Sequence, residues 1–253
     1  MDRKNYELMN HLEKNHWWFV SRRKIIKKVL DKFITKNTNN NILEIGCGSG
    51  GNLKLLSKYG KISALEMDEY SRNHANNKKV CSVEYGKLPD NFPFKNNFDT
   101  ICLFDVLEHI EDDLSSIELI YDSLKEDGKV ILTVPAYMFL WSGHDVAHQH
   151  KRRYTKKKID RLLINLGFEI TYSTYFNSFL LPLITIIRFG RKLIFKSESQ
   201  KDLKKENDII NTFLGKIFSL ESIILPKISF PFGVSIFVVG KKVNKRPEKR
   251  SVN

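Results

Sequence analysis

An open α/β sheet is the architecture this sequence predicts, on three observations. Short apolar runs such as Ile42–Ile45 and Ile101–Phe104 alternate with segments of helical period. The connections between them are brief and polar, as βαβ units with right-handed crossovers require. Finally, the first run breaks directly into glycine, with Gly46, Gly48, Gly50 and Gly51 inside six positions. So many glycines raise the entropy cost of ordering the turn, so something must come close to the backbone there.

The elements follow in order. Residues 1–37 read as helical, with Trp17, Trp18 and Phe19 preceding a basic helix that repeats Ile25, Ile26, Val29, Leu30 and Phe33. Strands are expected at 41–46, 61–67, 80–86, 99–105, 129–136, 168–176 and 233–242, and helices at 51–60, 69–78, 109–125 and 155–167. Glu126-Asp127-Gly128 reads as a turn. Roughly fifty residues separate the last two strands, far beyond an ordinary hairpin loop. The chain therefore divides into a helical cap (1–37), a catalytic-type domain (38–176 with 231–243), an apolar helical insertion (177–230) and a basic tail (244–253).

At 253 residues and 42% hydrophobic content, one large domain with an insertion is affordable. The three scattered cysteines, Cys47, Cys81 and Cys102, suit a reducing compartment. A charged N-terminus without an apolar core is no signal peptide, and no run approaches about 18 apolar residues. A cytoplasmic protein is expected, with inner-face membrane association as an extension. The net charge of +13 favours a polyanion: nucleic acid, anionic lipid or a phosphorylated substrate. A lysine- and asparagine-rich composition typical of an AT-rich genome accounts for it equally well.

Three features surround the glycines. Glu44 lies inside the preceding strand, and Glu66 ends the next one, about where a ribose hydroxyl pair would lie. The Lys-Ser/Thr of a P-loop is missing, so the turn suits a nucleoside without phosphates.

The stretches ILEIGCGSG, ALEMD, FPFKNNFDTICLFDVLEHI and EDGKVILTVPA resemble class I S-adenosylmethionine-dependent methyltransferases over about residues 40–172. The resemblance implies a Rossmann-like, seven-stranded sheet with an antiparallel last strand and adenosylmethionine across the carboxyl ends of the first strands. It places Glu44, Gly46, Cys47, Gly48 and Asn52 near the methionine and sugar, and Glu66 on the ribose with Met67 beside it. Gly86-Lys87-Leu88 replaces the family's adenine-binding acid, leaving the contact to the backbone of Lys87 and Leu88. Phe104 and Asp105 would border the methyl group. Trp17, Trp18 and Phe19 read as a cap over the cofactor, with Arg22 or Arg23 near its carboxylate; a hydrophobic staple for the first helix is the equal alternative.

Asp105-Val106-Leu107-Glu108-His109 reads as a helix start, which puts Asp105, Glu108 and His109 on one face. In quinone-biosynthesis O-methyltransferases, which this segment resembles, such a set can hold a divalent cation. Here Asp105 as a helix cap is the favoured reading and no metal is expected; His109 is a candidate general base. After the fifth strand, Trp141–Asp145 and His148–Tyr154 form a dense polar cluster, costly to bury without a ligand. His144 or His150 is read as a base, Asp145 and Tyr154 as companions, and Arg152 and Arg153 as planar forks for an anion. The alternatives are a structural loop tied by Arg152 and Asp145, and a zinc site on the three histidines, disfavoured by irregular spacing. HWWFVSRR and LWSGHD…H.RRYT together resemble a bacterial methyltransferase subfamily.

The insertion runs Phe176, Phe179, Leu180, Leu181, Leu183, Ile184, Ile186, Ile187, then Arg188, Arg191, Lys192 and Lys196. An apolar face with a basic flank fits a helix lying on an anionic surface; a lid completing the core is the alternative. The expected activity is O-methylation of a small or lipid-like acceptor (a quinol, polyprenyl or phosphate-bearing compound) at the membrane. A nucleic-acid methyltransferase is disfavoured because LFDVLE stands where Asn/Asp-Pro-Pro-Tyr/Phe would. A non-catalytic adenosylmethionine-binding protein is the third reading.

Overall fold

A computed structural model describes residues 3–95, 97–194 and 207–243. Lys196 and the 244–253 tail lie outside them. Seven strands, β1 (Asn41–Ile45), β2 (Lys61–Leu65), β3 (Val83–Glu84), β4 (Phe98–Phe104), β5 (Leu124–Pro135), β6 (Phe168–Phe176) and β7 (Ser235–Lys242), form one sheet. Their order is β3-β2-β1-β4-β5-β7-β6. Only β7 runs antiparallel, between β5 and β6. Nine α-helices are described: α1 (Arg3–Leu12), α2 (Trp17–Phe33), α3 (Leu53–Leu56), α4 (Glu69–Asn77), α5 (Asp113–Ser123), α6 (Gly143–Ala147), α7 (Lys156–Asn165), α8 (Leu181–Ile194) and α9 (Asp208–Ile224). The helix expected over 51–60 shrinks to a single turn, α3. Glu126-Asp127-Gly128 is a bulge within β5, where the β4 register slips between Phe98 and Thr100.

The strands' period of two builds two cores. Ile42, Cys102 and Phe104 face α2, α3 and α9, while Leu43, Ile101 and Leu103 face α5 and α7. Burying Ile25, Ile26, Val29 and Leu30 of α2 against the first face contributes on the order of 1.5–3 kcal/mol each. Helix α9 packs along α2, with Ser21 Oγ donating to the Gly215 carbonyl at 3.0 Å and Trp17 edge-on to Phe218. The buried Glu221 of α9 accepts the backbone N–H groups of Asn177, Ser178 and Phe179, pinning the exit from β6. All three cysteines are free thiols. No helix among the described residues is long and apolar enough to cross a membrane.

Candidate active site

Strand order reverses at β1 and β4, so the carboxyl ends of both border a crevice. A cavity of about 1150 Å³ opens there. That exceeds the roughly 300–1,000 Å³ of a typical small-ligand pocket, so two molecules fit side by side.

Gly46 and Gly48, just after β1, have φ of +67° and +56°. A Cβ on Gly46 would strike Val106, and one on Gly48 would enter open space on the cavity wall. Gly50 and Gly51 serve packing instead: side chains there would collide with Leu53 and Ala75, and with Glu13. The close approach expected at all four glycines is confined to the first two.

Behind this turn, buried Glu44 accepts from Asn52 Nδ2 at 2.9 Å through Oε1, while Oε2 has no partner. Burial raises its carboxyl from the ordinary 4.5 to about 7. Glu66 accepts from the Gly48 and Asp68 amides at 2.8 and 2.9 Å, and burial raises it as well. Cys47, Met67 and Leu88 also border the cavity. Lys87 borders it as well, with its N–H and C=O paired to Asn91 and its ammonium to Asp90.

Asp105 ends β4 at φ +58°, a sparsely populated conformation that Asp tolerates better than most. That residue breaks the helical path, so only one 3₁₀ turn, Leu107–His109, follows instead of the expected helix. Its carboxylate meets Arg22 at 2.6 Å and accepts from Thr133 Oγ1 at 3.0 Å. Arg22 Nη2 also donates to Thr133 Oγ1 at 3.1 Å, and the guanidinium lies 4.7 Å from the Trp18 ring. Trp18 and Arg23 do border the cavity, but Arg22 is the residue bound into it.

The polar loop after β5 supplies the far wall. Asp145 is fully buried and accepts from Ser142 N, from Arg153 Nε at 2.7 Å and from Arg153 Nη2 at 2.9 Å. His150 Nδ1 lies 2.8 Å from the same carboxylate. Burial would raise that carboxyl, but His150 and Arg153 hold it below the usual range. Arg153 spends its last nitrogen on the Ala136 carbonyl at 3.0 Å. Arg152 turns to the Glu111 carbonyl and Asp113, and buried Tyr154 donates to Asp113 at 2.8 Å. The anion grip expected of Arg152 and Arg153 is therefore not formed, and Arg152, Tyr154 and Asp145 stand behind the cavity wall.

His109, His144, His148 and His150 gather on that wall, with ring centroids 4.6 Å apart for His109–His150 and 4.2 Å for His144–His148. Burial lowers His109 to about 3, His148 to about 4 and His144 well below its ordinary value. Three imidazoles are thus neutral at pH 7. Thr133 was not singled out from the sequence, and His148 entered only as a member of the disfavoured three-histidine zinc site. Their signals are a lone hydroxyl in Ile131–Val134 and the His-x-His spacing at 148–150.

A family model described as a methyltransferase domain matches residues 17–173. The chain belongs to this methyltransferase family. S-adenosylmethionine is its methyl donor. Among solved structures, it is similar to a Haloferax volcanii methyltransferase in complex with the Trm112 activator, at 15% identity, TM-score 0.61 and 93% coverage of both chains. A methyltransferase from Archaeoglobus fulgidus aligns at 18% identity and TM-score 0.56, over 92% of this chain and 99% of that one. The Haemonchus contortus phosphoethanolamine N-methyltransferase 2, solved with S-adenosylmethionine, aligns at 15% and 0.57, over 93% of this chain and 60% of its own. At these identities the likeness is one of fold. No curated protein matches the chain.

Proposed function

We propose that this methyltransferase methylates an oxygen of a hydrophobic, lipid-linked acceptor at an anionic membrane surface. One observation supports this above others: the cavity is walled by Leu180, Leu183, Ile184 and Ile187, while the same insertion exposes Ile186, Phe189, Ile209, Phe213 and Ile223. A net charge of +13 complements an anionic surface.

In this reading Gly46 and Gly48 would let the cofactor approach the backbone, Glu66 would hold its ribose, Glu44 would face its ammonium, and Phe104 and Asp105 would border the methyl group, all of them cavity-lining residues. The acceptor hydroxyl sits against His144. When bound, S-adenosylmethionine would supply an electrophilic methyl group for in-line transfer to that oxygen, and His144 would accept the hydroxyl proton. The protein's contribution is alignment in a site from which water is excluded. Arg153 and Asp145 hold the wall.

Glu66→Ala is expected to weaken cofactor binding by on the order of 1.5–3 kcal/mol, the loss of hydrogen bonds to a charged group. Unchanged affinity in calorimetry would refute the ribose assignment. For the membrane reading, Ile186 and Phe213 are 70% and 61% exposed, so their replacement spares the core. Ile186→Asp with Phe213→Asp should weaken binding to anionic vesicles more than about tenfold, since each buried side chain contributes about 1.5–3 kcal/mol. Cofactor affinity should not move. Vesicle binding and turnover of a lipid-linked acceptor both at the wild-type level would overturn the proposal.

A further inference from the structure

The wall of the acceptor half carries a group that methyl transfer does not explain. Glu108, in the 3₁₀ turn after β4, is fully buried, and neither carboxylate oxygen has a hydrogen-bond partner. Leaving such a group without a partner costs roughly 1–3 kcal/mol, and a buried carboxyl relieves that cost either by taking up a proton or by binding a cation. Its neighbours fit one. His109 hydrogen-bonds the His148 backbone through its ring, which fixes the orientation of the imidazole. The His150 ring stands edge-on 4.6 Å away, with Nδ1 held by Asp145, so Nε2 is left for another partner. One ligand atom from each of Glu108, His109 and His150 lies within 4.8 Å of the others.

We propose that Glu108, His109 and His150 bind a divalent transition-metal cation in the wall of the acceptor chamber. With metal–ligand bonds of about 2.0–2.1 Å, donors in a tetrahedral site stand about 3.4 Å apart, so a trio at the 4.8 Å limit closes by up to about 1.4 Å on binding, within reach of side-chain rotation. One carboxylate and two imidazoles suit Zn²⁺, Co²⁺, Fe²⁺ or Mn²⁺; Ca²⁺ and Mg²⁺ prefer all-oxygen sites. Asp145 behind His150 reproduces the carboxylate–histidine–metal arrangement that orients such ligands. Three protein ligands leave a coordination position facing the cavity, open to water or to an acceptor oxygen.

The set differs from the one suggested by sequence. Asp105 is excluded, because Arg22 and Thr133 hold its carboxylate, and His150 arrives instead from the loop after β5. His144 and His148 pair with each other, their centroids 5.9 and 6.0 Å from His150, and are not ligands. The site stands independently of the lipid-acceptor reading.

The test is Co²⁺ titration of the untagged, chelator-treated full-length protein, followed by visible absorption and then by displacement with Zn²⁺. A single equivalent with the intense bands of a four- or five-coordinate ion is expected. Glu108→Gln keeps the shape and removes the buried charge, and should weaken Co²⁺ about 100-fold or more. His150→Gln should do the same, while His144→Ala should leave Co²⁺ affinity unchanged. The proposal is overturned if the wild-type protein takes up neither Co²⁺ nor Zn²⁺. It is equally overturned if both ligand variants, folded by circular dichroism, bind Co²⁺ as the wild type does, or if His144→Ala abolishes the spectrum. Should one ligand variant fail to fold, the wild-type spectrum and the other variant decide.

Discussion

Asp145→Ala is expected to cost about 3–5 kcal/mol of stability, the penalty of leaving a buried charge without its partner. Arg153 is 4% exposed and places two of its three nitrogens on that carboxylate. Among the described residues, the Ala136 carbonyl is then the partner left to its guanidinium. The same substitution frees His150 and removes the reciprocal cap that Ser142 and Asp145 form at the start of α6. Chemical denaturation measures the loss. The double variant Asp145→Leu with Arg153→Met should recover most of it, because replacing a whole buried pair by apolar groups is often neutral. A loss below about 1 kcal/mol for the single variant would mean that water reaches Arg153 and that the loop is not a rigid wall.

Glu44→Gln should stabilise the cofactor-free enzyme at pH 8 while weakening S-adenosylmethionine binding. Glu44 is fully buried, and its carboxyl is raised from 4.5 to about 7, a difference worth about 3 kcal/mol. The sign follows from linkage. A carboxyl with a raised folded pKa carries no penalty below pH 4.5, loses stability as pH climbs toward 7, and bears the full penalty above it. The amide keeps the acceptor for Asn52 and removes that titration, so the difference between variant and wild type should vanish near pH 4 and reach about 2–3 kcal/mol by pH 8. A cationic cofactor needs the ionised form. Under the proposed placement its affinity should therefore rise about tenfold between pH 6 and pH 8. Melting curves and calorimetry across that range check both halves, and parallel pH profiles for the two proteins would refute the assignment.

Much of this molecule was legible in one dimension. β6 spans the expected 168–176, and β1, β2 and β4 fell within two residues of their expected bounds. Gly46 and Gly48 announced a backbone in the left-handed region, because that constraint acts on a single residue. Acidic residues at strand ends, Glu66 and Asp105, likewise keep a fixed distance from the glycine turn along the chain.

What spacing could not convey is which neighbour a side chain chooses. Arg22 and Arg23 are adjacent, yet Arg22 reaches Thr133 and Asp105, far along the chain, because the turn of α2 aims it at the carboxyl end of the sheet. Arg152 and Arg153 read as one pair of forks; successive residues point to opposite sides, so one turns to Asp113 and the other is buried on Asp145. Helical spacing grouped Glu108 with Asp105 and His109 on one face; the positive φ of Asp105 broke that helix, and the Glu108 carboxylate meets His150 from another loop instead. Period and backbone conformation are local properties, written residue by residue. Burial, ion pairing and the convergence of ligands depend on which loops meet at the crevice, and only packing of the sheet against α2 and the loop after β5 fixes that.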